Sequence, residues 1–274
     1  MAMDEGTRAL VTASAEAVPA EIRDDWARYL DRTVVDLWER SALAPRDRSL
    51  VTVVALTVMG SGRELDRQIR VALRNGLSRV ELCEAMVQLG GYAGLGRGVE
   101  GMHALRAVFD DEPDLGLDAG ALPAGVPGAA RLDRARVIQT ILSPAHVEEI
   151  FERLTPYPEE GVAADRAPFR AGQTEWLGWL TETAFGDLWS RPNLEIRQRE
   201  LVVATALMTL GGRNPELRSH LNASLGMGIT PEEMSEVIVH VAVYAGFPSG
   251  VEAMLLYHGV LAEHGLAEPP RAHR

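Results

Sequence analysis

The sequence predicts an all-α protein in which one helical unit is written twice. Three observations carry that prediction. The first is an internal repeat, since Glu64–Leu105 aligns without a gap on Glu216–Tyr257 at a constant offset. Glu64, Leu65, Leu73, Gly76, Glu81, Glu84 and Val87 recur as Glu216, Leu217, Leu225, Gly228, Glu233, Glu236 and Val239. The run "YAG" at 92–94 returns at 244–246, and Gly98, Val99, Glu100 and Met102 return as Gly250, Val251, Glu252 and Met254. Upstream the offset is shorter by one residue. There "DLW" at 36–38 matches 187–189 and "RDRSL" at 46–50 matches "RQREL" at 197–201, so the second copy carries one insertion within "ALMTLGGRNP". The second observation is a pair of helix starts at equivalent places. "TPEE" at 230–233 has a capping hydroxyl, a proline in the first turn and a glutamate three residues on, and "SRVE" at 78–81 is its counterpart. The third is periodicity: Met234, Val237, Ile238 and Val241 follow the rhythm of a buried helical face, and few stretches alternate as strands do.

Taken in order, residues 1–20 read as an N-terminal tail, because "MAMDEGTRAL" is acidic and lacks the apolar core of a secretion signal. Residues 21–110 form the first, degenerate repeat. Residues 111–130, "DEPDLGLDAGALPAGVPGAA", are rich in glycine and proline without periodicity and read as a linker. Residues 131–265 form the second repeat, the candidate active copy. It opens with an extension, "RLDRARVIQTILSPAHVEEIFERL", that reads as helical apart from a break near "SP". Residues 266–274 are a C-terminal tail.

Composition narrows the function. The 274 residues are 46% hydrophobic, as suits a globular protein, and Lys+Arg of 27 against Asp+Glu of 39 gives a net charge of −12. Such a surface repels nucleic acid and anionic lipid, and the sequence shows no basic cluster to reverse that. The runs "LVTVVALTVMG" and "LVVATALMTLGG" are too short to cross a bilayer as helices. The single cysteine, Cys83, permits neither an intrachain disulfide nor a thiolate metal cluster. A soluble cytoplasmic protein is expected.

The candidate chemistry lies between Glu216 and Gly246. Glu216 and His220 stand one helical turn apart, Glu236 and His240 repeat the arrangement, and Tyr244 follows a turn later. At about 100° per residue these side chains form a polar stripe bordering the buried one. A carboxylate beside an imidazole at such an edge is a workable proton-transfer unit, since the acid fixes the ring tautomer and each group shifts the other's pKa. The competing reading is structural: a solvated Glu–His pair, a packing tyrosine, and a buried anchor at Glu236, whose place Glu84 takes in the other copy. As metal ligands the pairs fall short, because two ligands are too few and no third is evident.

The stretch from Phe185 to Ala253 resembles the carboxymuconolactone decarboxylase family of the AhpD-like superfamily. The resemblance rests on "WSRP", "RQREL", the "HL" ahead of "GMGITPEE", and "YAGFP", and it extends back through "AHVEEIFERL". It implies a fold of tandem duplicated AhpD-like helical domains. The superfamily's peroxidase branch carries a Cys-x-x-Cys-x-x-x-His motif, against which Arg213, Glu216 and His220 fall at the two cysteines and the histidine. Without those thiols, peroxidase chemistry lacks both its nucleophile and its resolving partner. What remains resembles the decarboxylase branch: a cofactor-independent lyase or isomerase acting by proton transfer on a small carboxylated or lactone substrate, secondary-metabolite intermediates included. Glu216, His220 and His240 are then the expected catalytic residues, and Trp189, Arg199, Glu236 and Tyr244 the expected substrate-binding ones. The alternative is a non-catalytic ligand-binding or assembly protein that retains the fold.

The two copies differ where it matters for titration. His220 stands against Gln68 and His240 against Gln88, and glutamine keeps the hydrogen bonding but not the proton. The sequence therefore assigns the chemistry to the second copy and a scaffold role to the first. Broad apolar helix faces predict a homo-oligomer, and the resemblance to single-domain relatives that form hexamers implies a trimer of tandem chains.

Overall fold

The computed structural model describes residues 5–13, 18–117, 175–176 and 178–267. The helical extension expected at 131–154 lies outside them. Among the described residues the secondary structure is helical, with no strand. The chain divides into two compact units, one comprising Met1–Leu122 with Asn193–Arg274 and the other Pro123–Pro192. The repeated helices described below all belong to the first unit.

Within that unit the N-terminal part contains α1 (Glu5–Thr12), α2 (Arg23–Leu30), a π-helical turn at Asp31–Val35 and the short α3 (Asp36–Glu39). Part of the expected tail is thus helical, and Val11 on α1 joins a cluster with Leu30, Val34, Trp38 and Val71. The first repeat continues through α4 (Pro45–Met59), α5 (Gly62–Arg74), α6 (Arg79–Ala93) and α7 (Leu95–Asp111). The second supplies their equivalents: α8 (Ile196–Leu210), α9 (Asn214–Ser224), α10 (Pro231–Ala245) and α11 (Phe247–Glu263).

The ends follow local chemistry. Both capping boxes form, Ser78 with Glu81 on α6 and Thr230 with Glu233 on α10, each satisfying two otherwise orphaned donors. Recurrence of Gly76 as Gly228 has a backbone reason, since both take a positive φ, 90° and 76°, where a side chain would be strained. Gly98 and Gly250 recur for space instead. A Cβ at Gly98 would stand 2.9 Å from the Met86 carbonyl oxygen, and one at Gly250 would stand 2.4 Å from the Ala242 Cβ, so α7 crosses α6 as tightly as α11 crosses α10.

Packing explains the apolar runs. From Leu50 to Val58 on α4, and from Leu201 to Met208 on α8, every side chain is buried, and these helices are apolar all round because they form the centre of the unit. No described helix is long and apolar enough to cross a membrane. Helix α4 lies along α8, and each also packs on the capped helix of the other copy, α4 on α10 and α8 on α6. Equivalent helices therefore make equivalent contacts on exchange of the copies, the hallmark of an isologous, twofold relation. Two buried ion pairs cross between the copies in the same sense, Arg48 to Glu236 at 2.9 Å and Arg199 to Glu84 at 3.4 Å.

Candidate functional site

The exchange of helices produces two polar clusters, each drawing residues from both copies. In the first, Glu236 of α10 is almost fully buried and clamped from two sides. Arg40 Nε donates to both of its oxygens at 2.8 and 2.9 Å, and Arg48 Nη1 donates at 2.9 Å. Burial alone would push the Glu236 carboxyl up, but the hydrogen bonds and charges of the two arginines outweigh it and leave the group below its ordinary value. One turn on, His240 is fully buried between Trp38 and Tyr244, its ring 5.4 Å and 5.1 Å from theirs. Thr52 Oγ1 stands 2.6 Å from His240 Nε2 and donates its single proton to the Arg48 carbonyl at 2.9 Å. With the Thr52 proton so placed, Nε2 carries the ring hydrogen, and Nδ1 is buried without a partner among the described residues. Burial first, and the Arg48 charge second, hold His240 well below its ordinary pKa, so the imidazole is neutral. Trp38 Nε1 donates to the Tyr244 hydroxyl at 2.8 Å, and burial together with the Glu64 charge raises that phenol above its usual range.

The second cluster centres on His220 of α9. Its Nδ1 lies 2.9 Å from Oε2 of Glu200, a fully buried carboxyl on α8 whose other oxygen has no partner among the described residues. Burial raises the Glu200 pKa, and the adjacent imidazole only partly offsets that. The ring of Tyr92, on α6 of the other copy, meets His220 edge-on at 5.4 Å. Arg199 donates to Gln88 at 3.0 Å and pairs with Glu84, both also on α6.

Several expectations change in this light. Glu236 and His240 do not form an acid–imidazole pair, because two arginines claim the carboxylate and a threonine claims the ring. His220 has a carboxylate partner in Glu200, twenty residues upstream in sequence and on a different helix. Glu216 stands exposed in the first turn of α9. Arg199, expected to bind substrate, is buried in a cross-copy pair, as Glu236 is. Tyr244 sits in the His240 cluster against Trp38. Trp189 is buried in a single 3-10 turn, Leu188–Ser190, within the second compact unit. The assignment of both imidazoles to one copy also changes meaning in space. Gln68, equivalent to His220, bonds Glu64 beside Tyr244 in the first cluster, while Gln88, equivalent to His240, bonds Arg199 in the second. Each cluster therefore has one imidazole and one glutamine, in exchanged positions.

Four residues were not expected from sequence: Glu200, and Arg40, Arg48 and Thr52 of the first copy. A signal existed for Glu200, an acid inside an apolar helix whose counterpart is Ser49. Among the described residues no group of His, Cys, Asp or Glu is arranged to hold a metal ion.

Fold and clusters together define a class: an all-α tandem-repeat protein with buried acid, imidazole and guanidinium groups shared between its copies. The carboxymuconolactone decarboxylase family model matches residues 24–107 and again 174–258, and the chain belongs to that family. It is 32% identical over 127 residues to a 4-carboxymuconolactone decarboxylase of Acinetobacter baylyi, an alignment covering 46% of this chain and 83% of that protein. It is also 31% identical over 126 residues to a nitrosuccinic acid decarboxylase of Metarhizium robertsii, covering 44% of this chain and 73% of that one.

Proposed function

We propose that this chain is a decarboxylase-type lyase that works by proton transfer, without cofactor, on a small carboxylic acid. The observation that carries the reading is the Glu200–His220 pair, a buried acid of raised pKa bonded to a partly exposed imidazole. The names of the two relatives support it, since carboxymuconolactone and nitrosuccinate share a chemical demand. In each, loss of CO₂ leaves electrons on a carbon next to an electron-withdrawing group, and that carbon must then take a proton. In this chain the C–C bond to the carboxylate breaks, its electron pair is held by the conjugated acceptor, and His220 delivers the proton to carbon. With Nδ1 committed to Glu200, the nitrogen that meets the substrate is Nε2, and Glu200 sets its tautomer and steadies the charged ring. Glu216, exposed one turn earlier on the same helix, relays protons from solvent. Arg199 and Glu84 position α8 against α6 instead of touching substrate, and the neutral His240 has a structural role.

The test is release of CO₂ from 4-carboxymuconolactone and from nitrosuccinate, with uptake of solvent deuterium at the carbon that lost it. His220→Gln and Glu200→Gln should lower turnover at least about a hundredfold with an unchanged helical spectrum, and His240→Gln should keep most of it. Equal losses at His220 and His240, or turnover of both substrates by Glu200→Gln at the native rate, would overturn the assignment.

A further inference from the structure

A cleft of about 480 Å³ opens where α10 meets the N-terminal part of the first repeat, and the Glu200–His220 pair contributes nothing to its walls. Its apolar lining is made by Leu37, Val239 and Val243. Two arginines, Arg32 and Arg40, line the same cleft. Arg40 uses only its Nε, on Glu236, so its terminal amino groups have no partner among the described residues, and its side chain is 54% exposed. Arg32 has no partner among the described residues at all, and its side chain lines the same cleft. Two acids, Asp36 and Glu39, also line the cleft, and Glu39 is held by Arg8.

This is a specific combination. The cleft is open to solvent, and its volume is comparable to that of small-ligand sites. Arginine presents paired donors that match a carboxylate, and an apolar surface beneath rewards a hydrocarbon or aromatic body. The carboxylates of Asp36 and Glu39 oppose a second negative charge. We infer that the cleft binds a small organic monocarboxylate, with its acid on Arg32 and Arg40 and its body on Leu37, Val239 and Val243. The site is separate from the proton-transfer pair and stands or falls independently of the function proposed above. Occupancy also reaches inward, because the same Arg40 that meets the ligand clamps Glu236 in the His240 cluster.

Isothermal titration of the full chain with benzoate tests the inference, with benzamide and inorganic phosphate as the uncharged and non-organic controls. Benzoate should bind once per chain, and both controls at least about tenfold more weakly. Arg32→Gln, an exposed change, should weaken benzoate about tenfold, and Val239→Phe, which fills the cleft, should weaken it at least as much. Glu200→Gln and His220→Gln should leave it unchanged. Absence of binding at millimolar benzoate, phosphate binding as tightly as benzoate, or affinity that follows His220→Gln and ignores Arg32→Gln would each refute the site.

Discussion

Replacing His240 by glutamine, the residue its counterpart Gln88 already supplies, should make the protein more resistant to acid. In the folded chain His240 is fully buried, and burial together with the neighbouring Arg48 charge holds its pKa well below the ordinary 6.5. In the unfolded chain the same ring titrates normally. As the pH falls below 6.5 the unfolded state takes up a proton that the folded state refuses, so stability is lost. The loss continues down to the depressed folded value, with a slope approaching about 1.4 kcal/mol per pH unit. Glutamine still donates to Thr52 and carries no such linkage. Urea unfolding of both proteins from pH 7.5 to 5 measures the effect as the difference between their slopes, which cancels the contribution of the other histidines. Parallel slopes would refute the reasoning, because they would mean that His240 accepts its proton in the folded state, against both its burial and Arg48.

Arg48→Met should destabilise the fold by about 3–5 kcal/mol, since Glu236 would keep only the half-exposed Arg40 as a partner, and chemical denaturation would show it. Glu200→Gln should lower turnover at least about a hundredfold yet leave stability at neutral pH equal or higher. The raised Glu200 pKa makes the folded state lose stability as the pH rises above 4.5, and glutamine removes that penalty, so a large stability loss at pH 7 would contradict it. Gly250→Ala should cost about 1–3 kcal/mol by forcing α11 away from Ala242, readable as a lowered melting temperature. Light scattering should find a homo-oligomer, a trimer of chains, and a monomer at micromolar concentration would count against it; the stripe of exposed Phe247, Val251 and Leu255 on α11 motivates this.

Much of the fold was legible because its signals are local. Capping boxes, left-handed glycines and helical periodicity act within a few residues, and the repeat supplied each of them twice. The clusters were less legible because they are assembled by helices that pack across the copies. Sequence spacing put Glu236 beside His240 and Glu216 beside His220, the neighbours that a single helix offers. The folded chain supplies other partners: Arg48 and Thr52 reach α10 only because α4 crosses it, and Glu200 reaches His220 only because α8 and α9 pack face to face. The difference between His and Gln in the two copies was visible from the start. That the exchange places one imidazole in each cluster is a property of topology, which residue order alone does not express.

The joining of two copies in one chain has a consequence for how the clusters can diverge. In a symmetric pair of identical subunits, every substitution appears in both clusters at once, so a change that suits one chemistry is imposed on the other. Here the partners of each crossing are separate codons. Ser49 can remain a serine bonded to Asn75 while Glu200, its counterpart, becomes the buried acid that holds His220. One half of the molecule is thereby released to specialise, while the other keeps the packing that both require.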